Sequence, residues 1–309
     1  MKPAMVAPFV TGATGMVEPP FPWLGGKRRL AREINALLPP PSPTTTYVEP
    51  FFGAGAVFFS RRPRGAEVIN DKNSEIINFF EVLRDDGENL VRYLQNIPYS
   101  RALFYDLRNR VLDESMPLER AARFFYLARS TFAGQSTGRT PSWAFARVDN
   151  RARSMSLVVD NELLRVRDRL RHAYIENDDA VSVIQRFDGP DTILYCDPPY
   201  VAEKRSYGGY EHELSVDDHE RLLSVLKDAQ GYVAISGYPS ELYADLLERD
   251  GWEWRDFPLL CKANQSNERG TWEGMDRVER VWLNPRLAAW NRSHSSRLVS
   301  LDLFGDGAE

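Results

Sequence analysis

Four consecutive residues, Asp197-Pro198-Pro199-Tyr200, combine groups that could act on a planar amine. They directly follow Ile193 to Cys196, an apolar run with the composition of a buried strand. Because two prolines cannot continue a strand, the run ends in a rigid, extended exit. We therefore expect Asp197 at the carboxyl edge of a sheet, where open α/β folds bind their ligands.

The acceptors of this motif define the chemistry that it could perform. The Asp197 carboxylate and the Pro198 carbonyl offer two acceptors side by side, which suit the two donors of an NH2 group. The lone pair of an exocyclic base amine is delocalised into the ring, and drawing both protons toward acceptors frees it for attack. Tyr200 can stack on an unstacked base. We interpret Asp197, Pro198, Pro199 and Tyr200 as the catalytic residues.

A glycine-rich pattern, Glu49-Pro50-Phe51-Phe52-Gly53-Ala54-Gly55, lies between an apolar strand and a helix. Gly53 and Gly55 permit a tight turn and a close approach of the backbone to a ligand. Asp71 ends the next predicted strand, where an acid can bind ribose hydroxyls. Position 58 is Phe, so the G-x-G-x-x-G spacing of dinucleotide loops is incomplete. The pattern therefore disfavours a nicotinamide oxidoreductase.

A third pattern, Trp23-Leu24-Gly25-Gly26-Lys27, precedes the first predicted helix. A glycine pair before a lysine is typical of phosphate loops, but the G-x-x-x-x-G-K-[ST] motif is absent. We therefore expect Lys27 to contact a carboxylate rather than a triphosphate. Trp23 fits a core position as well as a site position.

The elements that must position these patterns alternate between strands and helices, which predicts an α/β fold. The last two strands have no helix between them, so we expect an antiparallel end to a mixed sheet of about seven strands. The strand candidates are Tyr47–Glu49, Glu67–Asp71, Ala173–Glu176, Thr192–Cys196, Tyr232–Ser236, Trp252–Pro258 and Val278–Leu283.

The middle of the chain breaks this alternation, because residues 85–171 carry helical patterns but little strand signal. We interpret them as a mostly helical insertion. The predicted organisation is then a flexible segment (1–20), a catalytic domain in two parts (21–84 and 172–290), the insertion (85–171) and a C-terminal tail (291–309).

Charge is unevenly distributed along the chain. The formal net charge is -5, yet Arg120 to Arg153 contains seven arginines and one acidic residue, Asp149. A basic face on an acidic protein is typical of a polyanion footprint, although a solvated helix face has the same composition. The four histidines show no metal-ligand spacing, and no apolar run approaches the ~20 residues of a membrane helix. We expect a cytoplasmic protein without a metal.

Together, the three patterns and Asn70-Asp71 resemble, in their order along the chain, the motifs of Dam-type DNA adenine-N6 methyltransferases. The resemblance covers roughly residues 21–285, including Glu279-Arg280-Val281-Trp282-Leu283-Asn284. It implies a Rossmann-like domain that binds S-adenosylmethionine and a DNA-recognition insertion. The cofactor-binding positions that follow are Trp23, Gly25, Gly26, Lys27, Glu49, Phe51, Gly53, Gly55, Asp71, Asp178 and Asp197.

The resemblance also implies a reaction: site-specific transfer of a methyl group to adenine N6 in duplex DNA, by base flipping and direct displacement. A cognate restriction endonuclease acting on the same site is a second candidate partner besides DNA. Within the insertion the similarity is partial and points to Arg129, Ser130 and Arg139 as DNA-binding residues. For the two arginines we favour phosphates over guanine edges, because phosphate contacts are the more frequent kind.

Two alternatives remain open at this stage. The same fold could methylate another planar amine, in RNA adenine, cytosine N4 or a protein glutamine, although aspartate at position 197 favours adenine by resemblance. A catalytically silent DNA-binding module would keep the fold, but binding alone demands neither the Asp197–Tyr200 motif nor Asp71. We further interpret residues 201–212 as a flap that closes over cofactor and base.

Overall fold

In a computed structural model, the described residues form one mixed sheet of seven strands. Residues 16–131, 142–144, 150–200, 214–259 and 277–301 are described. The strands are β1 (Thr46–Glu49), β2 (Ala66–Asn70), β3 (Ala173–Glu176), β4 (Thr192–Cys196), β5 (Tyr232–Gly237), β6 (Glu253–Leu259) and β7 (Arg277–Leu283). Their order is β3-β2-β1-β4-β5-β7-β6. The first five are parallel, and β7 is antiparallel to both β5 and β6, so the predicted antiparallel end is confirmed.

Helices cover both faces of this sheet, as expected of an α/β fold. In the described part of the chain they are α1 (Ala31–Leu37), α2 (Ala56–Phe59), α3 (Ser74–Gln95), α4 (Arg101–Asn109), α5 (Pro117–Ser130), α6 (Arg151–Asn161), α7 (Leu163–Leu170), α8 (Ala180–Phe187), α9 (Val216–Lys227), α10 (Glu241–Leu246) and α11 (Pro285–Leu301). None of the helices described is long and apolar enough to cross a membrane.

Strand side chains alternate between two hydrophobic clusters, one on each face. Tyr47 and Ile69 join the cluster under α1, α3, α5 and α7, whereas Val48 and Val68 join the one under α8, α9 and α10. Because both faces are buried, central strands such as β4 and β5 carry apolar residues at consecutive positions, which explains the continuous apolar runs in the sequence. The predicted α/β fold class is confirmed.

The strand order reverses beside β1, which lies between β2 and β4. From β1 the chain moves to β2 and β3 on one side, whereas β4 and β5 lie on the other. Such a switch point leaves a crevice at the carboxyl ends of the strands. Glu49 ends β1, and Asp197 directly follows β4, so both patterns reach the same crevice.

The predicted insertion shares its core with the sheet. Helix α3 runs through the expected boundary at residue 85, with a kink at Asp86. Phe79 of α3 stacks on Phe125 of α5 with ring centroids 5.6 Å apart. The division into catalytic and recognition domains stays a prediction.

Both ends of the described chain contact the body of the protein. The Val17 amide donates to the Phe59 carbonyl at 3.0 Å, although residues 1–15 of the predicted flexible segment lie outside the description. At the other end, α11 crosses the predicted start of the tail, and Asn291 donates to the Leu37 carbonyl at 2.7 Å.

Candidate active site

A cavity of about 400 Å³ opens at the carboxyl ends of β1, β2 and β4. Its size lies within the ~300–1,000 Å³ range of small-molecule sites. Most of the predicted site residues line it: Trp23, Gly26, Lys27, Glu49, Phe51, Gly53, Gly55, Asp71, Asp197 and Pro199. The fold therefore brings three sequence patterns to one cavity.

The glycine-rich turn forms one wall of the cavity. Gly53 and Gly55 have φ values of 51° and 70°, which other residues rarely adopt. A Cβ on Gly53 would lie 2.8 Å from Trp23 Cδ1, so the indole leaves no room for a side chain. Asp71 fixes the turn, because its Oδ2 accepts the Gly53 amide at 2.8 Å and its Oδ1 accepts the Asn73 amide at 2.9 Å.

Trp23 is at once a packing residue and a wall of the cavity. Its ring lies 6.0 Å from that of Phe21 and 6.1 Å from that of Phe124, centroid to centroid. It is half-buried and also lines the cavity. Both interpretations of Trp23 therefore apply.

Lys27 and Asp197 form a buried ion pair. The Lys27 Nζ lies 2.6 and 2.8 Å from the two carboxylate oxygens of Asp197 and donates to the Gly25 carbonyl at 2.7 Å. Only 5% of the Lys27 side chain and 19% of the Asp197 side chain are exposed. The expectation that Lys27 contacts a carboxylate is confirmed.

Burial dominates the electrostatics of the carboxyl groups here. It raises the pKa of Asp197, and the Lys27 ammonium opposes that rise. Burial also raises the pKa of Glu49 to about 8, against the effect of the Tyr47 hydroxyl that donates to it at 2.5 Å. Glu49 is therefore mostly protonated near neutral pH, whereas the Lys27 ammonium favours the ionised form of Asp197.

Tyr200 is buried beside this pair, outside the cavity lining. Its hydroxyl donates to Oε1 of Glu279 and lies 3.3 Å from Oδ1 of Asp197. Burial and the two neighbouring carboxylates raise the pKa of Tyr200 well above its usual range, so the phenol remains a donor. Tyr238 packs edge-on against the ring at 4.6 Å. Pro198 is buried as well.

Glu279 is a site residue that sequence reasoning missed. It lies on β7 with 3% of its surface exposed, and its Oε1 is 3.4 Å from Lys27 Nζ. The available signal was an acidic residue beside Arg280 within the predicted strand Val278–Leu283. Its position could not be inferred, because it depends on β7 pairing with β5 rather than on the chain order.

Asp178 is not brought into the cavity. Its carboxylate receives a 2.8 Å hydrogen bond from Arg186, which lowers its pKa, and its side chain is 42% exposed. The next residue, Asp179, lines the cavity instead. Asp179 caps α8 through the Ser182 amide at 3.3 Å and pairs with Arg221 at 3.0 Å. Asp179 rather than Asp178 thus lines the cavity, and the cofactor contact of Asp178 stays a prediction.

The predicted DNA-binding residues Arg129 and Ser130 differ in how far they are buried. Arg129 is half-buried and donates to the Pro20 carbonyl at 2.8 Å; burial lowers its pKa to about 10. Ser130 is fully buried, so the structure does not place its side chain where it could contact DNA. Arg139 lies outside the described residues, as does the predicted flap at 201–212.

Several arginines of the basic stretch have internal partners. Arg120 donates to Glu75 at 2.6 Å, and Arg123 donates to the Leu107 carbonyl at 2.7 Å. Arg153, at the start of α6, is exposed. The outward-facing charge is therefore smaller than the sequence count. In the described parts of the chain, no three His, Cys, Asp or Glu residues are grouped as metal ligands.

Comparison with known proteins agrees with this arrangement. A family model described as "D12 class N6 adenine-specific DNA methyltransferase" matches residues 23–254. The Type II methyltransferase M1.LlaDCHI of Lactococcus lactis subsp. cremoris is 33% identical over 245 residues, covering 73% of this chain and 83% of that protein. The DNA adenine methylase of Haemophilus influenzae is 27% identical over 222 residues, covering 69% and 76%. The matched range contains every predicted site residue, and Glu279 lies beyond its end.

Proposed function

Because the chain belongs to the family of D12 class N6 adenine-specific DNA methyltransferases, we propose that its cavity binds S-adenosylmethionine, whose sulfonium supplies the methyl group. The enzyme acts on adenine N6 in DNA. The proposal concerns the methyl donor and the residues that carry out the transfer.

Charge and shape support this donor. The cavity lining contains five acidic residues and three basic ones, which favours a ligand with a positive centre. The Asp71 carboxylate lies in the cavity lining, where a carboxylate can accept hydroxyl groups. The absence of a side chain at Gly53 lets the Trp23 indole pack against the turn and shape this wall of the cavity. We assign cofactor contacts to Trp23, Gly25, Gly26, Lys27, Glu49, Phe51, Gly53, Gly55, Asp71 and Asp197.

Asp197 presents the amine. Its carboxylate lies at the cavity edge directly after β4, and this single placement carries the proposal. The Asp197 carboxylate and the Pro198 carbonyl accept the two amine protons, which orients the nitrogen lone pair toward the cavity. After alkylation the amine loses a proton readily, so Asp197 need not be a strong base.

Tyr200 and its neighbours hold the flipped base. The hydroxyl bond to Glu279 and the contact with Tyr238 already fix the Tyr200 ring. The side chain therefore loses little conformational entropy when a base packs against it. Pro199 lines the cavity beside Asp197 and keeps the exit from β4 rigid.

The decisive experiment measures transfer of labelled methyl groups from S-adenosylmethionine to unmethylated duplex DNA, with Asp197→Asn alongside. We expect label in N6-methyladenine and a loss of rate of at least about 100-fold in the variant, because asparagine lacks the negative charge that pairs with Lys27 and replaces one acceptor oxygen with an NH2 donor. Mapping the labelled sites would then give the target sequence.

Asp191→Asn is the matched control, since Asp191 is exposed and lies one residue before β4. Its rate should equal that of the wild type. Label that appears only in RNA or in protein glutamine would contradict the proposal, and so would full activity of Asp197→Asn.

Recognition of a specific DNA sequence is assigned to residues 85–171, with Arg129 and Arg139 as phosphate contacts. A restriction endonuclease acting on the same site is proposed as a partner, supported by the Type II name of one relative. The cytoplasmic location likewise remains a prediction.

A further inference from the structure

Glu279 is a buried carboxylate that the roles above leave unexplained. Because β7 runs antiparallel to β5, its first residues lie at the same edge as the carboxyl ends of the parallel strands. A carboxylate withdrawn from water is costly unless charged or hydrogen-bonding groups compensate. Burial accordingly raises the pKa of Glu279, and Lys27 opposes that rise.

One ammonium group serves two carboxylates in this site. Lys27 Nζ bonds to both oxygens of Asp197, at 2.6 and 2.8 Å, and lies 3.4 Å from Oε1 of Glu279. The same Glu279 oxygen accepts the Tyr200 hydroxyl. Glu279 therefore contacts Lys27 and Tyr200, two residues that donate hydrogen bonds to Asp197.

This arrangement conflicts with the chemistry proposed for Asp197. The target amine needs acceptor lone pairs that the Lys27 ammonium uses. Lys27 is 5% exposed, so its ammonium cannot leave Asp197 for water without a large rearrangement. Moving a buried cation away from its carboxylate is unfavourable unless a second acidic side chain is close by. Glu279 is such a side chain, with Oε1 3.4 Å from Nζ.

Building on the proposed function, we propose that Glu279 is a positioning residue that takes over the Lys27 ammonium when the target amine bonds to Asp197. Lys27 Nζ lies 3.4 Å from Oε1 of Glu279, so it needs to move by less than that distance. It keeps the buried cation paired and releases acceptors on Asp197. Glu279 also accepts the Tyr200 hydroxyl, so the transfer of the Lys27 ammonium takes place beside the ring that is proposed to pack against the base.

Charge and shape can be separated at this position. Glu279→Gln keeps the shape and an oxygen for Tyr200 but removes the charge, whereas Glu279→Asp keeps the charge and shortens the side chain. We expect the single-turnover rate of DNA methylation to fall at least about 10-fold in Glu279→Gln and less in Glu279→Asp, with cofactor affinity changed by less than about 3-fold in both. A purely structural role would give the opposite order.

Glu253→Gln is the control, because Glu253 also lies on a strand and pairs with an arginine, Arg292, away from the cavity. It should retain the wild-type rate. The proposal is overturned if Glu279→Gln is as fast as Glu279→Asp or faster. If Glu279→Gln does not fold, a loss greater than about 100-fold in Glu279→Asp overturns it. A wild-type protein without activity on DNA would instead contradict the proposed function.

Discussion

At the scale of single residues, the contact between Gly53 and Trp23 shows how the cavity wall is made. The indole packs on the bare glycine backbone, and Asp71 holds the same amide from the other side. Neither partner lies near the other in sequence. The turn between β1 and α2 thus becomes a cavity wall only when Trp23 packs over it.

Gly53→Ala should weaken S-adenosylmethionine binding by about 10-fold or more, since its Cβ would lie 2.8 Å from Trp23 Cδ1 and displace the indole. Isothermal titration calorimetry measures the affinity. Gly251→Ala is the matched control, because Gly251 also has a positive φ of 82° but no atom lies within 4 Å of the added Cβ. Both variants should lose about 1 kcal/mol of unfolding free energy from backbone strain, and only Gly53→Ala should lose affinity. Equal affinities would contradict the proposed role of this wall.

At the scale of elements, α7 is joined to the sheet by a buried ion pair. Arg169 donates to both oxygens of Glu67 on β2, at 2.5 and 2.6 Å, and its guanidinium lies 3.8 Å from the centroid of the Phe58 ring. Both charged side chains are almost fully buried. Helix α7 therefore belongs with the sheet by its packing, although it lies within the predicted insertion.

Arg169→Met should lower the unfolding free energy by about 3–5 kcal/mol, because it leaves Glu67 buried without its cation. Urea denaturation measures the loss. Arg165→Met is the control: Arg165 lies on the same helix and pairs with Glu162 at the surface, so its loss should stay below about 1 kcal/mol. The double variant Glu67→Met, Arg169→Met should recover part of the stability. Similar losses for the two arginines would argue against a role of the buried pair.

At the scale of the whole molecule, an acidic protein must bind an acidic polymer. The net charge is -5, and part of the basic stretch is used internally, as the Arg120–Glu75 pair shows. DNA binding therefore depends on where the remaining cations lie rather than on total charge.

Arg153→Ala should weaken DNA binding and reduce the slope of log K against log salt by about 1, because one phosphate contact is lost. Fluorescence anisotropy over a salt series measures both quantities. Arg120→Ala removes the same charge from an internal pair and should leave the slope unchanged. Identical slopes for the two variants would exclude Arg153 from the footprint.

The fold and most of the cavity could be predicted from the sequence because both depend on local signals. The strand candidates Ala173–Glu176 and Thr192–Cys196 coincide with β3 and β4, and the fully buried β4 carries the continuous apolar run that predicted it. The backbone freedom of Gly53 and Gly55 predicted a turn, and the two prolines after Asp197 predicted the end of a strand. The reaction was predicted from the family resemblance.

What only the tertiary structure decided depends on contacts between distant residues. The position of Glu279 in the site follows from the pairing of β7 with β5, and the choice of Asp179 over Asp178 follows from which residue caps α8. The burial of Ser130 and the internal partner of Arg120 are likewise invisible in a charge count. Sequence spacing determines which groups are present and which element carries them. Packing between elements determines which of those groups reach the cavity, and which are used to hold the fold together.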